Sequence, residues 1–143
     1  MASVFDVARY ILETAGAMTH MKLQKLVYYS QAWHAVWCEE QLFEEKIKAW
    51  ANGPVVPSLF FQLQGHFIVA FSQITGDISN LSPEAKDSIN RVIDFYRKYD
   101  PQQLSEMTHN EPPWKCARVG LRDGERGDKE ITLASMVEYY SGL

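Results

Sequence analysis

The stretch that decides the fold is "MKLQKLVYYSQAWHAVWCEE", Met21 to Glu40. Leu23, Leu26, Val27, Ser30, Trp33 and Trp37 recur at the three- and four-residue steps of one helix face. Tyr28, Tyr29, Ala32, Ala35 and Val36 lie on other sides, so little polar surface is left. A helix of this kind belongs at the centre of a fold, with neighbours on several faces. One polar track runs along it. Gln24, Tyr28 and Gln31 stand at i, i+4 and i+7, flanked by Lys22, Lys25 and His34. The track reads either as the wetted side of the helix or as an adaptable face for a protein partner, since tyrosine is a frequent interface anchor.

Helices are expected on both sides of this centre. Ser3 with Asp6 has the form of a capping box, Val4, Val7, Ala8, Ile11, Leu12 and Ala15 follow at helical spacing, and Gly16 is a stop. "KIKAW", Lys46 to Trp50, reads as an extended segment running into the Gly53-Pro54 turn. A short helix then starts near Pro57, with Leu59, Phe60 and Leu63 inward. Ser82-Pro83-Glu84 opens another, with Ala85, Ile89, Val92, Ile93, Tyr96 and Tyr99 on its inner face. Asp100-Pro101 closes that helix and caps "PQQLSEMTH"; Pro112-Pro113 interrupts it. Residues 119–130 are glycine-rich and charged, and are expected to form a mobile surface loop. Thr132 caps a last helix bearing Leu133, Met136, Val137 and Tyr140. The expected fold is mainly α: one compact helical domain over residues 1–143, with a few short β segments.

Composition narrows the function. The chain has 143 residues, 46% of them hydrophobic and 13% aromatic, enough for a core without disulfide or metal staples. The net charge of −4 gives sequence-independent nucleic-acid binding a weak electrostatic basis. The two cysteines, Cys38 and Cys116, form no spaced framework and read as free thiols of a reducing compartment. The N-terminus lacks the basic region and continuous apolar run of a signal peptide, and no stretch is apolar for long enough to span a membrane. A cytoplasmic protein is expected.

The residues give catalytic and metal chemistry little support. His34 and Cys38 share a metal-binding spacing, but no second ligand pair accompanies them. Cys116 and His109 are separated by two prolines, with no third orienting group marked. "GLRDGERG" lacks the strand-to-helix context of a phosphate loop. No metal, cofactor or enzymatic activity is therefore expected. The stretch "MTHNEPPWKCAR", Met107 to Arg118, gathers active-site residue types, yet suits a structural joint. There His109 would donate to free helix-end carbonyls, Trp114 would cover them, and Arg118 would fork onto Glu111. An enzyme or ligand-binding site using His109, Glu111 and Trp114 is the alternative.

Together these segments resemble the Panacea domain, the family that includes SocA-like antitoxins and phage-associated GepA-like proteins. Three motifs carry the resemblance across nearly the whole chain. The first is "KLQKLVYYSQAW", with Lys22, Leu23, Gln24, Lys25, Leu26, Tyr28, Tyr29, Gln31, Ala32 and Trp33. The second has Trp50, Gly53, Pro54, Val55 and Pro57. The third has Leu104, Ser105, Thr108, His109, Glu111, Pro113, Trp114, Ala117 and Arg118. The resemblance implies a mostly helical antitoxin that binds and neutralises a cognate protein toxin encoded beside it, with no established catalytic centre. Family members meet very different toxins, so it does not name the target. A proteolytic adaptor that delivers a toxin for degradation, or a phage-derived enzyme, is the runner-up. The expected partner face is Lys22, Gln24, Lys25, Tyr28, Gln31 and His34, with Arg122 and Arg126 on the loop. Trp33, Trp50, Gly53, Pro54, Thr108, His109, Glu111, Trp114 and Arg118 are expected to be structural. Membrane association and nucleic acid are not expected; self-association is left open.

Overall fold

The computed structural model describes residues 2–143. The fold is mainly α, as the sequence leads one to expect. Its helices are α1 (Val4–Ala15), α2 (His20–Cys38), α3 (Pro57–Leu63), α4 (Pro83–Tyr96), α5 (Pro101–His109), α6 (Pro112–Ala117) and α7 (Leu133–Tyr140). Short strands punctuate them: β1 (Met18–Thr19), β2 (Ile47–Trp50), β3 (Gly53–Val55), β4 (Ile68–Val69) and β5 (Glu130–Ile131).

α2 is the axis of the molecule. α1, α4, α5 and α7 pack around it, and β3 lies across it. Leu23, Leu26, Val27, Tyr29 and Ala32 are fully enclosed. Ser30 sits among them because its hydroxyl donates to the Leu26 carbonyl one turn back, at 2.7 Å. Trp37, expected on the inner stripe, is instead 40% exposed, stacked on Trp33 and covered by the Arg91 guanidinium.

Helix ends follow the local chemistry. Ser3 and Asp6 close a reciprocal capping box on α1. Thr19, Ser82, Asp100 and Thr132 each accept a first-turn N–H of the helix that follows. Lys22 donates to the Arg97 carbonyl at the end of α4, at 2.7 Å, a cation where the helix dipole is negative.

"KIKAW" contributes β2, the middle strand of an antiparallel sheet ordered β3-β2-β5. Lys48 faces Val55, Trp50 faces Gly53, and Ile47 faces Ile131. A second pair, β1 with β4, places Met18 opposite Val69. The apolar run from Phe67 thus resolves into a strand and a 3₁₀ turn at Phe71–Gln73. The segment from Val119 to Lys129 runs over the surface before β5. It is tied down at several points: the Ala49 N–H donates to the Lys129 carbonyl (2.8 Å), and the Trp50 indole N–H donates to Asp128 (3.0 Å).

Candidate functional site

The polar track of α2 is not a surface. Gln24, Lys25, Tyr28, Gln31 and His34 are all buried, so they form no open helix face, and the expected partner face is corrected for Gln24, Tyr28, Gln31 and His34. Four of them hold the interior together. Gln31 accepts the N–H groups of Leu42 (2.6 Å) and Phe43 (3.3 Å), and its amide nitrogen donates to the Phe43 carbonyl at 2.8 Å. It fixes the irregular loop after α2 as a neighbouring strand would. Gln24 does the same for Val56, accepting its N–H at 2.9 Å. That orientation aims the Gln24 amide nitrogen at His20 Nε2, 3.1 Å away. His20 Nε2 is therefore an acceptor and the ring is neutral, in keeping with burial and the Lys25 charge holding its pKa down.

His34 contacts Ser88 through Nδ1 (2.8 Å) and Glu40 through Nε2 (3.3 Å). Both ring nitrogens are thus engaged. Cys38 lies near the same Ser88 hydroxyl, and no three metal-ligating side chains come together among the described residues.

Tyr28 belongs to a buried chain of hydroxyls. Tyr29 and Tyr140 both donate to Oε1 of Glu111, at 2.8 and 2.7 Å. Tyr140 thereby uses its only proton, so Tyr28, 3.0 Å away, donates to Tyr140. Burial pushes all three phenols up, keeping them as donors. Burial also raises Glu111, against the pull of its two tyrosine hydrogen bonds. Tyr29 stacks on Tyr96 at 4.0 Å, and Tyr96 accepts the Trp33 indole N–H. Glu111 is thus the terminus of an aromatic network between α2 and α7.

The 107–118 stretch forms a joint whose wiring differs from the expected one. Arg118 does not reach Glu111, whose carboxylate the tyrosines occupy. It donates to main-chain carbonyls, those of Ala49 (2.9 Å), Arg122 (3.5 Å) and Glu125, and lies over the Trp114 ring. Trp114 donates its indole N–H to the Trp50 carbonyl at 2.9 Å and stacks on His109 at 4.0 Å. His109 was expected to donate to helix-end carbonyls. Instead its Nε2 is buried without a partner among the described residues. Burial and the nearby Lys25 charge lower its pKa, while the Asn52 backbone acts the other way. Cys116 is exposed, so no thiol–imidazole pair forms through that nitrogen. Thr108 donates to the Ser105 carbonyl and Ser105 to that of Asn52, which ties α5 to the β2–β3 turn.

Lys25 is the exception. It is 1% exposed, yet no hydrogen bond and no ion pair reaches its ammonium among the described residues. Desolvation alone pushes its pKa down to about 8. Gly53 is shaped around it. At φ +123° the backbone favours glycine, and a Cβ there would stand 2.5 Å from Lys25 Cε.

Lys25 lines a cleft of about 760 Å³. Its walls include His20, Trp50, Phe60 and Phe61, with Lys48 and Arg126 at the charged rim. The volume is in the range of ligand sites, about 300–1,000 Å³. Of the expected partner residues, Lys22 is half-buried and capping α4, while Arg122 and Arg126 are exposed on the loop. Sequence reasoning missed Trp50, Phe60 and Phe61 as cleft walls. The one available signal was a lysine on a helix with no wet side, and no acid within one helical turn to pair with it.

What fold and geometry define is a mainly α domain with a cationic, aromatic cleft. Residues 23–115 match the family model described as antitoxin SocA-like, Panacea domain, and the chain belongs to that family. An antitoxin-type role follows from that membership. No curated protein and no solved structure matches the chain. No described helix is long and apolar enough to cross a membrane.

Proposed function

We propose that this protein is the antitoxin of a toxin–antitoxin pair, neutralising a cognate protein toxin encoded beside it by direct binding. The observation that carries this reading is the match of residues 23–115 to the SocA-like antitoxin family. The geometry is compatible with it. Apart from Lys25 and His109 Nε2, the titratable groups described in the interior are hydrogen-bonded within the fold, and the open chemistry lies in a cleft flanked by exposed aromatic side chains. Silencing a lethal activity at cellular concentrations calls for a complex near the nanomolar range, on the order of −12 kcal/mol.

The test is co-expression. The adjacent gene, induced alone, should arrest growth. Induction of this protein should restore growth, and the two products should purify as one complex. Growth arrest that this protein leaves unrelieved, with no complex formed, overturns the proposal.

A further inference from the structure

Three observations bear on Lys25 and the cleft it lines. The Lys25 side chain is buried to 1% exposure, and its ammonium is unpaired among the described residues. His109 Nε2, a buried atom without a partner among the described residues, lies close enough for Lys25 to lower its pKa. Among the described lining residues the one carboxylate is Asp128, which accepts the Trp50 indole N–H through Oδ1 and forms no ion pair with the three cations. A chain of net charge −4 has gathered Lys25, Lys48 and Arg126 around one opening, and none of the three forms an ion pair among the described residues.

The surroundings of the mouth decide what kind of anion fits. Phe61 is 62% exposed on one lip, and Met21 is exposed on another. Phe67 is 79% exposed, and its carbonyl accepts the His20 N–H, so it adjoins the cleft wall. Ile68 follows it, also exposed. A free small anion would leave this apolar apron wet. A protein surface that brings one acidic side chain to the cleft and apolar neighbours to the apron covers both. Such a pairing, a desolvated charge ringed by apolar contact, is the usual form of an interface hot spot.

We infer that the cleft is the seat of an acidic anchor of the protein partner: a Glu or Asp carboxylate enters the cleft alongside the packed Trp50 and Phe60 rings and pairs with Lys25, while Phe61, Met21 and Phe67 pack on the residues beside it. This rests on the reading of the chain as an antitoxin that binds a protein. The partner supplies the counter-ion that the fold leaves out, so Lys25 acts in recognition rather than in holding the fold. Lys48 and Arg126 at the rim speed and orient the encounter.

The experiment uses the full chain and the product of the adjacent gene, held inactive by titration with wild-type antitoxin during expression and then separated from it. Affinity is measured for wild type, Lys25→Met, Lys25→Arg and Phe61→Ser, each with its melting temperature. Lys25→Met should weaken binding at least about a hundredfold, the loss expected on breaking a buried charge pair, and abolish rescue while its melting temperature rises. Phe61→Ser should weaken binding without a fall in melting temperature. One Glu or Asp of the partner, changed to Ala, should reproduce the Lys25→Met loss and add nothing to it in the double variant. Should Lys25→Met bind within about threefold of wild type, the anchor is absent, although the antitoxin reading stands, because wild type still binds and rescues. Should wild type itself fail to bind or rescue, both readings fall. Acetate or glutamate raising the melting temperature of wild type but not of Lys25→Met, with partner affinity equal in the two, also overturns the inference by making the cleft a small-anion site.

Discussion

Gln31 and Lys25 stand on the same helix, equally hidden from water, and are treated in opposite ways by the fold. Every polar atom of the Gln31 amide meets the backbone of Leu42 or Phe43. The Lys25 ammonium meets none. A satisfied amide in the interior supports a loop that lacks a strand partner. An unsatisfied charge opposes folding, since burial disfavours the ionised form and nothing repays it. The drop in its pKa from 10.5 to about 8 corresponds to about 3 kcal/mol of lost stability at neutral pH. Stability alone would place an apolar residue there. Residues kept at the expense of the fold mark function; residues that complete it mark structure.

The comparison can be broken at several points. The largest effect belongs to the structural side. Trp114→Ala removes a buried ring that bonds Trp50 and stacks on His109 and Arg118, and should lower stability by about 3–5 kcal/mol in urea unfolding. A loss under about 1 kcal/mol would remove the 107–118 joint from the framework of the fold.

Lys25→Met should go the other way, raising stability by about 3 kcal/mol at pH 7. The sign follows from proton counting. Lys25 in the folded protein loses its proton near pH 8, and in the unfolded chain near 10.5. The unfolded state binds more protons in that window, so wild-type stability rises with pH across it. The full penalty is present at pH 7, and the gap between variant and wild type should narrow by pH 9.5. A variant less stable than wild type at pH 7 would mean that Lys25 has a structural partner.

Gln31→Leu keeps the volume but strands two N–H groups and one carbonyl. A loss of about 1–3 kcal/mol is expected, with faster hydrogen exchange at Leu42 and Phe43. Unchanged exchange would show that the loop holds itself.

Glu111→Gln should be the mildest. The Gln carbonyl can still accept from Tyr29 and Tyr140, so stability at pH 7 should change by no more than about 1 kcal/mol. The pH profile is the sharper readout. Glu111 in the folded state holds its proton above its ordinary 4.5. Wild-type stability therefore falls as pH rises through the window above 4.5, and the variant should flatten that decline. An unchanged slope would place the carboxylate in water.

The helices were legible because their ends are local. Ser3, Ser82-Pro83, Asp100-Pro101 and Thr132 each name a start that the structure adopts. The central place of α2 was legible from its apolar sides. Its polar track was not, because a glutamine that staples a loop and one that faces water have the same spacing. What separates them is the count of backbone groups elsewhere that need partners, and those sit at Phe43 and Val56, far along the chain. The β1–β4 pair escaped notice because two residues are too few to show alternation. Arg118 read as a partner for the nearest acid. Two tyrosines from distant helices had claimed that acid first. The cleft was illegible for the same reason, since its walls come from α2, β2, α3 and the loop before β5.

Arg118 grips the loop from 119 to 130 by its carbonyls, not by its side chains. The Ala49–Lys129 link is also main chain to main chain. Gly127, pressed against Arg118 and Leu121, Glu125, whose carboxylate accepts the Arg122 N–H, Asp128, bonded to Trp50, and Glu130, paired with Lys46, hold the path through their own chemistry. The letters at Arg122, Asp123 and Arg126 are thus free to be rewritten while the trace of the chain stays put. The loop is in this sense a cassette: the rim of the cleft can be edited one residue at a time without damage to the scaffold beneath it.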